Sequence, residues 1–391
     1  MRCATKAIRP TAPMRPTLHA NPTVRTMRLL HIITDLRTGG AEHLMVHLLP
    51  HLRSLGHHVS LLCFDGTPTP FMQALQASGI EVHSLSRSRR MYSPVRLWQL
   101  IRYLRQHPAD VVHVHNTPPQ LLAALASLVL KLRLFTTEHN THNRRRHWPG
   151  VRLIDRWLYS RFEQVVCVSQ PTEHNLLAYL GKCHCHTCTV PNGVPLEAYR
   201  NAQPAADVVH TSPNAFRVVM VASLTTHKDH HTLLRAMALL PDRFHLFLAG
   251  DGPLRATLEA LCRDLHIAGR VHFLGIRHDV PSLLAAAHAV VLSSHSEGLS
   301  LASVEGMASG RPFVASCVDG LREVVEGGGI LVPHADAQAL AQALQRLHDD
   351  PAYAEQVAKQ GIERANRYSM PRMAQAYHRL YQTAYRPVHS P

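Results

Sequence analysis

The sequence predicts an α/β protein built from two doubly wound domains, and three observations carry that reading. Its 391 residues exceed what one hydrophobic core ordinarily serves. Short apolar runs alternate with stretches of helical period, the pattern of a parallel sheet covered by helices. The alternation stops at a polar stretch, Ala202 to Asn214, and starts afresh at Phe216.

Taken in order, Met27 opens the first strand, with Leu29 to Ile33 as its apolar run. Gly39-Gly40-Ala41-Glu42 then opens a helix through Leu52. Val59 to Phe64 is the second strand and Val82 to Leu85 a weaker third. Pro94 to Gln106 has an amphipathic helical period, and Val111 to His115 is the next strand. Leu134 to Thr137 and Gln164 to Val168 add two more, and the half closes near Val190-Pro-Asn-Gly-Val-Pro195. The second half places strands at Phe216 to Ala222, His245 to Ala249, Val271 to Leu274, Ala289 to Leu292 and Pro312 to Ser316. Doubly wound domains take ligands at the carboxyl ends of their strands, so two of them facing each other would share one cleft.

The domain boundaries follow. Residues 1–26 carry Arg and Lys, no acid and several prolines, and lack the apolar segment of a secretory signal. They are expected to be a disordered extension or a mis-assigned start. The first domain is expected over 27–200, a linker over 201–214 and the second domain over 215–369. A last helix over 370–388 is expected to pack back on the first domain.

An apolar share of 46% with only 17% charged residues describes a well-buried globular chain. The formal charge of +14, with 31 histidines besides, suits an acidic partner: nucleic acid, an anionic membrane face or an anionic substrate. Nucleic acid is disfavoured, since no groove-reading element or aromatic platform is recognisable. The longest apolar candidate, Leu121 to Leu130, is cut off by Lys131 and Arg133, too short to cross a bilayer. Eight cysteines without a signal peptide point to free thiols in a reducing, cytoplasmic setting.

The most informative segment runs from Ser294 to Ser316. Glu297 ends the approach from a buried strand, and a helix is expected to open near Gly298, placing Glu297 at its mouth. Glu305, eight positions on, lies a little over two turns later. A helix N-terminus offers unpaired N–H groups and partial positive charge, which suit a phosphate.

Glu297, seven residues, then Glu305-Gly-Met-Ala-Ser-Gly-Arg-Pro312 resembles the donor-site motif of the retaining family 4 glycosyltransferases with the GT-B fold, two facing Rossmann-like domains. Other pieces of that pattern recur in order from Met27 to about Tyr385. The resemblance implies that Glu305 binds the donor ribose and that Glu297 lies near the transferred sugar. Gly298, Leu299, Ser300 and Leu301 would cradle the diphosphate, and backbone near Ile276 and Arg277 would meet the base. His139, in Thr136-Thr-Glu-His-Asn140, matches a histidine that faces sugar and acceptor, with Asn140 beside it. Lys228 follows a strand and begins a helix, where it can reach a phosphate whose charge grows as the glycosidic bond breaks. The family usually has Arg where this chain has Ser223, so another basic group, His227 or Arg311, would have to compensate. Gly39 and Gly40 would admit the diphosphate close to backbone. Gly250, in Gly-Asp-Gly-Pro253, is either a structural turn or a donor contact.

The densest basic stretch, Arg144, Arg145 and Arg146 with Trp148, Arg152, Arg156 and Arg161, follows His139 and should rim the acceptor side. It reads as a docking face for anionic lipid or a lipid-diphosphate acceptor, or as a solvated face. No metal and no other cofactor is expected. No Asp-x-Asp follows a strand, and Asp349-Asp350 ends a helix before Pro351. Cys183-His-Cys-His-Thr-Cys188 lacks paired knuckle spacing, and alternate residues of an extended chain point opposite ways. The expected function is transfer of a sugar from a nucleotide-diphosphate sugar to a glycan or lipid-linked acceptor, with retention. A sugar-nucleotide 2-epimerase and a non-catalytic carbohydrate-binding protein are the alternatives.

Overall fold

The computed structural model describes residues 25–37, 39–86, 91–139, 148, 150–297 and 299–383. The first half runs β1 (Arg28–Ile33), α1 (Gly40–Ser54), β2 (His58–Asp65), α2 (Pro70–Ala77), β3 (Glu81–Ser86) and α3 (Pro94–Gln106). It continues with β4 (Val111–His115), α4 (Thr117–Ala126), β5 (Leu134–Glu138), α5 (Val151–Ser160), β6 (Gln164–Cys167), α6 (Gln170–Leu180) and β7 (Thr187–Thr189). These strands form one parallel sheet in the order β3-β2-β1-β4-β5-β6-β7.

Two short helices, α7 (Leu196–Arg200) and α8 (Ala206–Thr211), lead into the second half. There β8 (Phe216–Val221), α9 (His230–Ala238), β9 (Phe244–Ala249), α10 (Arg255–Asp264), β10 (Val271–Gly275) and α11 (Val280–Ala286) come first. Next are β11 (Ala289–Leu292), α12 (Leu301–Ala308), β12 (Phe313–Ser316), α13 (Asp319–Val325) and β13 (Ile330–Val332). The helices α14 (Ala337–Asp349), α15 (Pro351–Ala365) and α16 (Met370–Thr383) end the described chain. The second sheet is also parallel, in the order β10-β9-β8-β11-β12-β13.

Local chemistry sets the helix starts. Ser93 accepts from the Arg96 amide at 3.2 Å with Pro94 behind it, and Asp229 accepts from the Thr232 amide at 3.2 Å. The central strands of both sheets are buried on two faces, which is why they read as near-continuous apolar runs. One core fills the second half, and two cover the faces of the first sheet.

The last helix closes one of those faces. Met370, Met373, Ala374, Tyr377 and Tyr381 of α16 join Leu44, Leu48 and Leu52 of α1 in a single cluster beneath β1 and β2. A buried tyrosine ring, like a buried phenylalanine, gains roughly 1.5–3 kcal/mol of apolar transfer. An unpaired hydroxyl would cost back about 1–3 kcal/mol. Neither is unpaired: Tyr381 OH meets His113 Nδ1 at 2.8 Å and Tyr377 OH meets Thr137 Oγ1 at 2.9 Å.

Two expectations need correction. The stretch expected as a linker contains α8, whose Val208 is buried, while the Ala205 amide bonds Ser282 O at 2.9 Å and Asp207 pairs with Arg277 at 2.6 Å. Its composition is polar because one buried valine suffices to seat so short a helix. Secondly, α12 begins at Leu301, not near Gly298, so Glu297 stands in the loop ahead of the helix.

Candidate active site

Because β8 and β11 are neighbours, the loops at their carboxyl ends lie side by side. Their charged side chains meet: Lys228 Nζ donates to Glu297 Oε1, and Ser294 Oγ lies 2.8 Å from the same oxygen. The two side chains are 19% and 12% exposed, so solvent screens the pair little. The His295 amide donates to His227 O at 2.9 Å, joining the loops further.

Behind Glu297, the Ser300 side chain makes no cap bond, so it leaves the first-turn amides of α12 without a side-chain partner among the described residues. Leu299 and Leu301 pack their side chains on the second core, leaving backbone at that turn. Glu305 lies one turn into α12, where Tyr199 of α7 hydrogen-bonds its carboxylate. Burial raises the Glu305 pKa, and the Tyr199 bond works against that rise.

Ser223, Gly250, Ile276 and Arg277 come together on one cleft wall at the ends of β8, β9 and β10. Gly250 has a φ of 143°, its amide donates to Gly275 O at 2.8 Å, and a Cβ there would collide with the Ala222 carbonyl. Close packing of two loops thus accounts for that glycine. Arg277 is held by Asp207 at 2.6 Å and Asp279 at 2.7 Å, and bonding to Asp279 and then Asp207 raises its pKa. Its guanidinium is committed, whereas Ile276 stands 71% exposed beside it. Ser223 contributes a hydroxyl, 3.4 Å from Thr225 Oγ1. Arg311 does not compensate for it. It precedes β12 at the amino edge of the sheet and donates to Ala285 O at 2.6 Å. His227 stays exposed on the same loop as Lys228.

At the first sheet, Gly39 and Gly40 follow β1 and start α1 without a side-chain cap. Glu42 in its first turn accepts from Asn116 Nδ2 at 3.3 Å, and Asn116 takes a φ of 68° at the end of β4. His139, just past β5, is the outer member of a histidine chain. Its Nε2 lies 3.1 Å from His115 Nδ1, and His115 Nε2 lies 3.0 Å from His31 Nδ1. His113 stacks on His115 with ring centroids 4.7 Å apart, and its Nε2 meets Thr137 Oγ1 at 2.8 Å. Burial pushes His139 down to about 4 and His31 down to about 3. It drives His113 and His115 well below the usual histidine range, with neighbouring histidines adding to the effect. All four are neutral at physiological pH.

Asn140, Arg144, Arg145, Arg146 and Gly298 lie outside the described residues. Of the basic stretch, α5 is described. Asp155, Leu158 and Tyr159 face inward, while Leu153, Ile154 and Trp157 face solvent beside exposed Arg152. Cys183 donates to Arg156 O at 3.5 Å, and Cys188 lies within β7, so the cysteine-rich run ends as an edge strand. Among the described residues, no helix is long and apolar enough to cross a membrane.

Sequence reasoning missed Tyr199, Ser294, Asn116 and the inner histidines His31, His113 and His115. Alternation in Val111-Val-His-Val-His115 was the one available signal, since positions two apart share a sheet face.

Comparison with known proteins agrees with this fold. Residues 38–198 match the family model described as Glycosyltransferase Family 4, and residues 215–350 match the one described as Glycosyl transferases group 1. The chain is 25% identical over 343 residues to the UDP-Gal:alpha-D-GlcNAc-diphosphoundecaprenol alpha-1,3-galactosyltransferase of Escherichia coli, covering 83% of this chain and 88% of that protein. It is 33% identical over 190 residues to the lipopolysaccharide core biosynthesis glycosyltransferase LpsD of Rhizobium meliloti, covering 47% of this chain and 55% of that one. Among solved structures, Anabaena Alr3699/HepE in complex with UDP-glucose superposes with a TM-score of 0.73 at 22% identity, over 91% of this chain and all of that one.

Proposed function

The chain belongs to the family 4 glycosyltransferases and is a transferase of the GT-B fold, and from that premise we propose that it moves a sugar from a nucleotide-diphosphate sugar, with retention, onto a glycan or lipid-linked acceptor. The observation that carries the proposal is the Lys228–Glu297 pair set ahead of the uncapped start of α12, with Glu305 held by Tyr199 behind it. A diphosphate entering there meets a cation whose present partner is a carboxylate one loop away. Exchanging that partner for the β-phosphate lets Lys228 stabilise charge that grows as the donor bond breaks. Glu305, ionised, accepts from the ribose hydroxyls. Ile276 and the backbone of Arg277 cover the base, and Gly39 and Gly40 bring the amides of α1 to the diphosphate.

On the other edge His139 is neutral and serves as a hydrogen-bonding group, not as a cation. The inner end of its chain, His31 Nε2, is buried with no partner among the described residues. A bare lone pair there is less costly than an orphaned N–H. Protons then point outward along the chain, and His139 offers Nδ1–H to a sugar or acceptor oxygen. Retention proceeds by front-face departure, the leaving phosphate taking the acceptor proton. The reaction uses no resident metal, since Lys228 and the helix amides supply the positive charge.

Surface polysaccharide, lipopolysaccharide or lipid-linked glycan assembly is the setting we propose. The activities named for the Escherichia coli and Rhizobium relatives support it. The exposed Leu153, Ile154 and Trp157 beside Arg152 support peripheral attachment to the cytoplasmic face of an anionic membrane. Incubation with a panel of UDP-, GDP- and TDP-sugars and undecaprenyl-diphosphate sugar acceptors tests the whole reading, with the product anomer assigned by NMR. A new glycosidic bond of retained configuration is expected. Acceptor-independent isomerisation of the donor, or binding without turnover for every pair tried, would overturn it.

A further inference from the structure

Three loops of the second sheet converge beside the donor site, and each brings one side chain able to ligate a metal. Asp229 ends the loop after β8, His295 lies in the loop after β11, and His334 follows β13. One ligand atom from each lies within 4.8 Å of the others. His295 Nδ1 is 2.7 Å from His334 Nε2, and His295 Nε2 is 3.7 Å from Asp229 Oδ1.

The carboxylate is the informative member. Asp229 is 3% exposed, and its Oδ1 accepts the Thr232 amide that starts α9. Its Oδ2 is buried with no hydrogen-bond partner among the described residues. A buried carboxylate oxygen left bare is costly, and side chains in that state call for a cation or a donor. The other oxygen, Oδ1, lies 3.7 Å from His295 Nε2, and the carboxylate shares a 4.8 Å cluster with two imidazoles, whose neutral nitrogens are ligands as readily as donors. His295 and His334 are both exposed, so an ion has a path in.

We propose that Asp229, His295 and His334 form a binding site for a zinc-type divalent cation, three protein ligands with the fourth position open to water. Two nitrogens and one carboxylate oxygen suit Zn²⁺, Ni²⁺ or Cu²⁺, and not the all-oxygen shells of Mg²⁺ or Ca²⁺. Tetrahedral zinc needs ligand atoms about 3.4 Å apart for bonds near 2.05 Å, so the His334 ring would leave its 2.7 Å contact with His295 Nδ1 and the cluster, now within 4.8 Å, would draw together on one nitrogen of each imidazole. The ion takes no part in sugar transfer. It staples three loops, two of which carry Lys228 and Glu297 within two residues of a ligand. The site goes beyond the donor reading and stands or falls without it.

The test uses the full chain after chelator treatment, titrated with Zn²⁺ by calorimetry and followed by thermal melting. One tight equivalent is expected, with the melting temperature rising by several degrees once free Zn²⁺ reaches roughly 100 times its Kd. His334→Ala and His295→Ala should each weaken that equivalent at least tenfold and abolish the thermal shift. Cys183→Ser with Cys185→Ser should leave both unchanged. The Co²⁺-substituted protein should show visible ligand-field bands without thiolate charge-transfer absorption. A Zn²⁺ response that survives both histidine variants, or one that vanishes with the cysteines, would overturn the site. So would the absence of any thermal shift.

Discussion

Lys228 and Glu297, 69 positions apart in the chain, form a direct ion pair where two neighbouring loops of the second sheet meet. The cation assigned to the leaving group is therefore already neutralised before a donor arrives. Donor binding is an exchange of anions at one ammonium. Glu297→Gln should release Lys228 and strengthen UDP binding by about 1 kcal/mol, roughly fivefold, while lowering the melting temperature of the ligand-free protein. Calorimetry with UDP reads the first and differential scanning the second. Weaker UDP binding in this variant would show that the carboxylate orients the lysine productively.

Lys228→Ala should cut kcat more than it raises KM, because phosphate charge is largest in the transition state. The loss should be of order a hundredfold or more, that of one preorganised donor. Near-wild-type turnover would move the role to His227 on the same loop.

Glu305 sits with its pKa raised, so the fold disfavours its ionised form. That cost is absent below the ordinary carboxylate pKa and present once pH passes the raised value. Glu305→Gln should therefore raise the melting temperature of the empty protein at pH 7 to 8, with the gain shrinking as pH falls. The same change should weaken nucleotide binding by roughly 1.5–3 kcal/mol, one charge-assisted hydrogen bond. A variant neither stabilised nor weakened would remove Glu305 from the ribose site.

The buried histidines predict an acid limit. His31, His113, His115 and His139 have lowered pKa values in the fold, so the unfolded chain binds protons first as pH drops through about 6.5. Their contribution is intact above that pH and lost below it, at about 1.4 kcal/mol per pH unit for each histidine. Denaturation by urea between pH 7 and 5 should show this slope, reduced by one proton in His31→Gln. A flat profile would mean that the chain tolerates charge.

On α5, changing Leu153, Ile154 and Trp157 to Ser should release the protein from anionic vesicles at physiological salt without altering UDP affinity. Arg144, Arg145 and Arg146 to Ser should weaken the same binding by about 1 kcal/mol each, more visibly at low salt. Vesicle sedimentation measures both. A wild type that stays in solution even at low salt would make the helix face an ordinary solvated surface.

The strands that flank the two cleft edges were legible because burial on both faces leaves a continuous apolar run, as in Val111–His115 and Ala289–Leu292. The edge strands β7 and β13 were not, since each is only three residues long and β7 is half buried with no apolar run, Thr187-Cys-Thr189. Motif spacing placed Lys228, Glu297 and Glu305 on one edge. It gave no hint that Lys228 and Glu297 touch, or that Tyr199 reaches Glu305 from another helix. Arg311 was a fair candidate by sequence proximity to Glu305, and strand direction alone puts it at the far end of the sheet. The chain from His139 to His31 spans β5, β4 and β1, and only the strand order makes those residues neighbours.

The return of α16 to the first sheet has a consequence for biosynthesis. Tyr377 and Tyr381 complete a face whose other members, among them His113, Phe135 and Thr137, lie over two hundred positions earlier. Leaving the ribosome, the chain exposes that face first and covers it last. The second half, whose core draws on residues from Val194 to Tyr368, closes that core in the meantime. A nascent polypeptide arrested before Met370 would thus hold one finished domain and one open one, and that open sheet is the surface a chaperone or protease would find.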